Sequence, residues 1–215
     1  AIQKMRAAAD GDAAYAGGSE LPEALRAYTA GAVDFRLAKE RGTECATSND
    51  LERPNPECMY EDDSIRLGVA ALQRAVKRFE SVLRLKPNEQ KLRATWAAYS
   101  MGLAYSLPGD LYSLDSADKY FGLTRQLAQG SNPDPQYLAL ESLGAQALAH
   151  LDAGDISGAM ELYAEQAAHG LESGVNSLVW VSKKLLNDPA LLREHIRSPL
   201  VQKAVISFVL AYGNS

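Results

Sequence analysis

The sequence predicts an all-α fold, a solenoid of antiparallel helix pairs, and three features carry that expectation. Residue types recur at an interval of 42: Ala75, Ala117 and Ala159; Phe79, Phe121 and Tyr163; Leu72, Leu114 and Ile156. A fixed period of this size is the mark of stacked helical units. Pro87, Pro108, Pro133, Pro135, Pro189 and Pro199 fall between the apolar segments, where a missing N–H costs least. Finally, no apolar–polar alternation of the kind a half-buried strand needs persists for more than a few residues.

Taken in order, the first fifteen residues carry no sustained period and are expected to fray. A first helix is expected over about 21–41. Its Ala30-Gly31 matches Met101-Gly102 further on, but Gly31 precedes Ala75 by 44 residues and Gly102 precedes Ala117 by only 15. The first pair therefore carries an insertion of 29. Helices follow at about 64–86, 90–107, 111–129, 134–153, 155–168, 173–187, 189–196 and 199–212. In the second helix of each pair the small residue, the aromatic at i+4 and the aliphatic at i−3 share one face. The preceding helix repeats at the same interval: Met101-Gly102 matches Leu143-Gly144, Ala97-Ala98 matches Ala139-Leu140, and Asp110 matches Asp152.

A large-Gly pair in one helix followed by small and aromatic positions in the next resembles the tetratricopeptide repeat, over roughly residues 20–170. The resemblance implies that Gly102 and Gly144 let paired helices approach closely. It also makes Ala117/Phe121 and Ala159/Tyr163 the interlocking positions of the second helix. The period of 42 exceeds the family's 34, and Ala98 and Leu140 stand where the family has Trp. The longer repeat, with Ala167-Ala168-His169-Gly170, is also similar to Sel1-like repeats. Either likeness implies a superhelix that binds protein or peptide.

Composition narrows the remaining classes. At 215 residues, with 47% hydrophobic and 23% charged residues, the chain can bury a substantial core. It is expected to be a single domain over 1–215, with an acidic insertion at 42–63. No stretch approaches the roughly 18 apolar residues of a membrane span; the longest run, Val201 to Tyr212, is interrupted by Gln202, Lys203 and Ser207. The first residue is Ala and the last three are Gly213-Asn214-Ser215, so a processed chain or a piece of a longer one is expected. The net charge of −5 is unevenly spread: Thr43–Asp63 holds seven acids and one Arg, and the rest is close to neutral. A sequence pI near 5.3 argues against a general nucleic-acid binder, which needs a basic face.

Four features are candidate sites. Cys45 and Cys58 lie in the insertion among acids and around Pro54-Asn55-Pro56. A disulfide between them would close a short loop in an oxidising compartment, for a gain of about 3 kcal/mol; two unrelated thiols are the alternative. Zinc would need four ligands at short spacing, and His150, His169 and His195 lie elsewhere. The acids of the insertion could ligate calcium, but the EF-hand order is absent, and Glu61-Asp62-Asp63 also suits a helix N-terminus. A basic run (Arg66, Arg74, Lys77, Arg78, Arg84, Lys86, Lys91, Arg93) reads as a solvated face, or as a seat for an acidic partner or for the chain's own acidic insertion. The last candidate follows from the repeat resemblance, which places Leu25, Tyr28, Phe35, Arg36, Trp96, Tyr99, Leu103 and Glu141 along a concave groove. Aromatics beside an Arg suit a site that anchors an extended peptide; the competing reading makes Trp96 and Tyr99 core.

For catalysis there is no G-x-S-x-G, no H-E-x-x-H, no phosphate-binding glycine loop and no C-x-x-C. The expectation is a right-handed solenoid without enzymatic activity or cofactor, bacterial and exported to the periplasm or beyond. It would act as a scaffold or adaptor for a protein or peptide, with no nucleic-acid partner. The alternative is the superhelical arm of a larger cell-envelope enzyme, as lytic transglycosylases carry.

Overall fold

The computed structural model describes the backbone of residues 1–46, 62–130 and 132–212, and side chains over 1–41, 66–130 and 132–211. The disulfide, calcium and zinc readings of Cys45, Cys58 and the acidic insertion lie outside the described side chains.

The described residues form twelve helices and no strand. They are α1 (Ile2–Arg6), α2 (Gly11–Ala16), α3 (Glu23–Ala46), α4 (Asp62–Leu83), α5 (Pro87–Gln90), α6 (Ala94–Ser106), α7 (Leu114–Gln129), α8 (Leu138–Asp152), α9 (Ile156–Ala168), α10 (Glu172–Asn187), α11 (Pro189–His195) and α12 (Pro199–Tyr212). Long helices pack mainly on their neighbours in the chain: α3 on α4, α4 on α6, α6 on α7, and so on through α8, α9 and α10, with α12 returning to α10. None is long and apolar enough to cross a membrane.

The ends of these helices follow local chemistry. Ser113 accepts from Ser116 N–H at 3.2 Å to open α7, and Asp155 accepts from Gly158 N–H at 2.9 Å to open α9. Asp188 caps α11 through the N–H groups of Ala190 and Leu191, with Pro189 in the first turn. The helix expected over 90–107 is shorter: the single turn of α5 precedes it, and α6 begins at Ala94.

The small and aromatic positions of the 42-residue face are buried wherever they recur, whereas Leu72 and Leu114 at the aliphatic position are half-buried. Ala75, Phe79, Ala117, Phe121 and Ala159 have no solvent exposure, and Tyr163 and Ile156 very little. Two glycines show why this packing needs them. A Cβ on Gly31 would lie 2.8 Å from the Phe79 ring, and one on Gly102 would lie 2.6 Å from the Phe121 ring. In each case the phenyl ring rests on bare backbone, which only glycine allows. Gly144 departs from this arrangement, since it faces the Gln166 side-chain amide and not Tyr163.

The N-terminus does not fray. Met5 (1% exposed) and Ala14 (0%) join Ala30 and Val33 of α3 in a small cluster of their own. The anchor is polar. Asp34 of α3, with no exposure, accepts from Gly11 N–H at 2.9 Å and from Arg74 of α4 at 3.1 Å, and is also bound by Arg78. Arg78 reaches on to Asp12 of α2. The short helix α2 is thus tied to α3 and α4 by an ion network as well as by apolar contact, while Met5 holds α1 through the cluster. Two arginines of the basic run are consequently internal ligands, and Arg84 pairs with Glu80 at 2.7 Å within its own helix.

A second ionic joint ties α7, α8 and α9. His150 Nδ1 lies 2.7 Å from Asp155, and its Nε2 lies 3.1 Å from Asp118. Asp118 also accepts from Gln146, whose carbonyl oxygen accepts from Arg125 at 2.8 Å. Burial acts to lower the His150 pKa, but hydrogen bonds and charge from both carboxylates outweigh it, and the net shift is upward. The Asp155 carboxyl is held below its ordinary value, chiefly by the Gly158 N–H and then by His150.

Candidate functional site

The groove residues expected from the sequence separate into a connected wall and outliers. The wall is built on α3, α6 and the entrance to α8. Tyr28 packs its ring 5.7 Å from that of Phe79, and its hydroxyl meets Ser100. Burial, the largest influence, pushes the Tyr28 phenol up, against the lowering effect of Ser100 and Arg93.

Arg93, the residue before α6, lies over two aromatic faces. Its guanidinium carbon is 4.9 Å from the centre of Trp96 and 5.7 Å from that of Tyr28. Each contact is within the range of a favourable cation–π interaction. One Nη donates to the Leu92 carbonyl at 2.9 Å, whereas Nε is buried with no hydrogen-bond partner among the described residues. The sequence placed this arginine in the basic run. The structure places it between the aromatics, the position expected of Arg36. Arg36 itself pairs with Glu40 one turn along α3, at 3.6 Å, with both side chains more than half exposed.

Trp96 is half-buried, and its indole N–H donates to Gln136 at 2.9 Å. Gln136 is placed by an unusual entry to α8. Tyr137 adopts φ 53° at the cap, a left-handed conformation that side chains other than glycine rarely take. Asp134 compensates by accepting from Leu138 N–H at 2.7 Å and Ala139 N–H at 3.0 Å. The Tyr137 side chain is left 68% exposed beside the wall. Strain held in place by such a network is commonest where a surface is functional.

Tyr99 continues the wall on α6. Its ring lies edge-on to Phe121 at 6.0 Å, and its phenol is pushed up by burial and then by the charge of exposed Glu141. Phe35 turns toward Phe79, edge-on at 6.4 Å, while Leu25 and Leu103 are half-buried. The sequence identified the aromatic members and Glu141, and missed Arg93, Gln136 and Tyr137. Arg93 meets Trp96 three residues on, but it reaches Tyr28, and Gln136 reaches Trp96, over separations of 65 and 40 residues, which no local pattern encodes.

Among the described residues, no group of three His, Cys, Asp or Glu is arranged to hold a metal ion. Comparisons with protein-family models, with curated proteins and with solved structures found no match to this chain.

Proposed function

We propose that this chain is a non-catalytic helical scaffold that binds a protein or peptide along the wall formed by Tyr28, Arg93, Trp96 and Tyr99. The observation that carries the reading is the Arg93 guanidinium over the Tyr28 and Trp96 rings, with Trp96 half-buried and fixed by Gln136. Aromatic and arginine side chains supply most of the binding energy at interfaces, and side chains held in place beforehand lose little freedom on binding. The solenoid and tetratricopeptide-like readings belong to the same proposal. They rest on the 42-residue recurrence in the sequence. Export to an oxidising compartment rests on Cys45 and Cys58 alone.

The test is selection of peptides from a displayed random library on the 215-residue chain, then affinity measurement against Trp96→Ala. Loss of an aromatic anchor should weaken the selected peptides by about 2 kcal/mol or more, roughly thirtyfold, with helical content unchanged by circular dichroism. Selected peptides that bind the variant as well as the parent would place the partner elsewhere.

A further inference from the structure

Arg93 is the cap residue of α6 and folds back over Trp96, three residues on, so its guanidinium lies beside the first turn of that helix. No carboxylate among the described residues pairs with it, and its one hydrogen bond goes to the Leu92 carbonyl. The buried Nε has no acceptor, whereas the second Nη, also without one, is open to solvent. The charges acting on the neighbouring Tyr28 hydroxyl are those of Arg93 and of Arg6 on α1, both basic. In a chain of net charge −5, this end of the wall is locally positive.

The first turn of α6 offers donors at the same place. No side chain caps it, and the N–H groups of Ala94, Thr95 and Trp96 have no acceptor among the described residues. The ladder begins only with Ala97 N–H on the Arg93 carbonyl, at 2.9 Å. An uncapped helix start is common, but the hydroxyl of Thr95 is a second and independent feature. Thr95 has no solvent exposure, and its Oγ1 is buried without a partner. Side chains on a helix tilt toward its N-terminus, so this hydroxyl, on the second residue of α6, points into the same turn. An unpaired buried hydroxyl is a cost to the fold. Three N–H groups, a hydroxyl and a guanidinium are together a donor set that receives an oxyanion.

We propose that this turn, with Arg93, is a subsite for a carboxylate, and that the partner of the wall is an acidic peptide, with an Asp or Glu at Arg93 beside the residue seated on Trp96. The proposal rests on the reading of the wall as a binding surface and adds the charge of what binds there. The carboxylate accepts from the open Nη of Arg93 and stands at a helix start, where the dipole favours negative charge.

The probes are peptides selected from the displayed library, resynthesised with each Asp or Glu changed to Asn or Gln, and with the C-terminus free or amidated. Binding is read by fluorescence anisotropy on the 215-residue chain. One acid-to-amide change should weaken binding at least about tenfold on the parent and less than about twofold on Arg93→Gln. Loss of affinity on amidation, with the side-chain changes neutral, assigns the carboxylate to the peptide's chain end. Thr95→Val should weaken the acidic peptides about fivefold and leave the melting temperature unchanged or higher, because its hydroxyl has no partner to lose. Acid-free peptides that bind as tightly, and still lose affinity with Trp96→Ala, would overturn the subsite and leave the wall standing. Equal acid dependence on the parent and on Arg93→Gln overturns it too, as does a Thr95→Val chain that melts lower and binds unchanged. No saturable binding of any peptide removes subsite and wall together.

Discussion

In the N-terminal region a carboxylate with no exposure, Asp34, meets two guanidinium groups and a backbone N–H; in the α7–α9 region the central group is an imidazole, His150, and both its carboxylates remain partly in water. The two joints do the same mechanical work, since each ties three helices together. They differ in what can undo them. The first joint is centred on a carboxylate removed from water, so the loss of one of its side chains is what should cost most. The second depends on a group that changes charge near neutrality. One molecule therefore combines a joint centred on a buried carboxylate with a partly solvated one whose imidazole responds to pH.

The largest effect expected is at Asp34. Asp34→Ala leaves Arg78, whose side chain is 15% exposed, with only the exposed Asp12 as partner, and leaves Gly11 N–H without its acceptor. Breaking a buried pair from one side typically costs about 3–5 kcal/mol. Urea unfolding of the variant measures this, and a loss below about 1 kcal/mol would show that Arg78 regains water by moving outward.

A smaller effect is expected from pH at the second joint. The His150 pKa is raised on folding, so its stabilisation is fully present below the ordinary histidine value near 6.5 and is lost as pH rises through the higher folded value. Asp155 is depressed, so its share is present above the ordinary carboxylate value of 3.8 and is lost as pH falls through the lower folded one. The joint is strongest in mildly acidic solution. For partly exposed partners the gain is about 1 kcal/mol or less. His150→Gln should flatten the stability profile between mildly acidic and alkaline pH, with NMR titration of the three histidines as a direct check. An unchanged profile would assign the pH dependence to other groups.

The smallest effect completes the comparison. Arg36 and Glu40 form an exposed pair one turn apart, where the expected contribution is about 0.3–0.5 kcal/mol. Arg36→Ala should hardly move the melting temperature. A loss approaching that at Asp34 would mean that position in the fold, not burial, sets the value of these ion pairs.

The helices were legible in the sequence because their signals are local. Prolines mark the breaks, and Ala75/Phe79, Ala117/Phe121 and Ala159/Tyr163 declare a buried face at helical spacing. Gly31 and Gly102 could be singled out before their phenyl neighbours were known, since a glycine inside a good helix needs a reason. The N-terminal helices were not legible. Five or six residues are too few to establish a period, and what holds them is a small apolar cluster together with Asp34, which meets Gly11 of α2 and is bound to arginines 40 and 44 positions away. A lone acid between Val33 and Phe35 on an apolar face was the available clue, together with Arg74 and Arg78 spaced one turn apart to receive it. Arg93 was hidden for another reason. Its fate depends on two rings from different helices, and in the sequence it reads as one more positive charge in a row.

Asp34 has a consequence for how this chain can vary in length. Its contacts with Arg74 and Arg78, and the packing of Phe79 on Gly31, join α3 to α4 without help from α1 and α2. A chain trimmed from its N-terminus to begin at α3 would therefore keep this pairing while giving up the Gly11 N–H and Asp12 contacts.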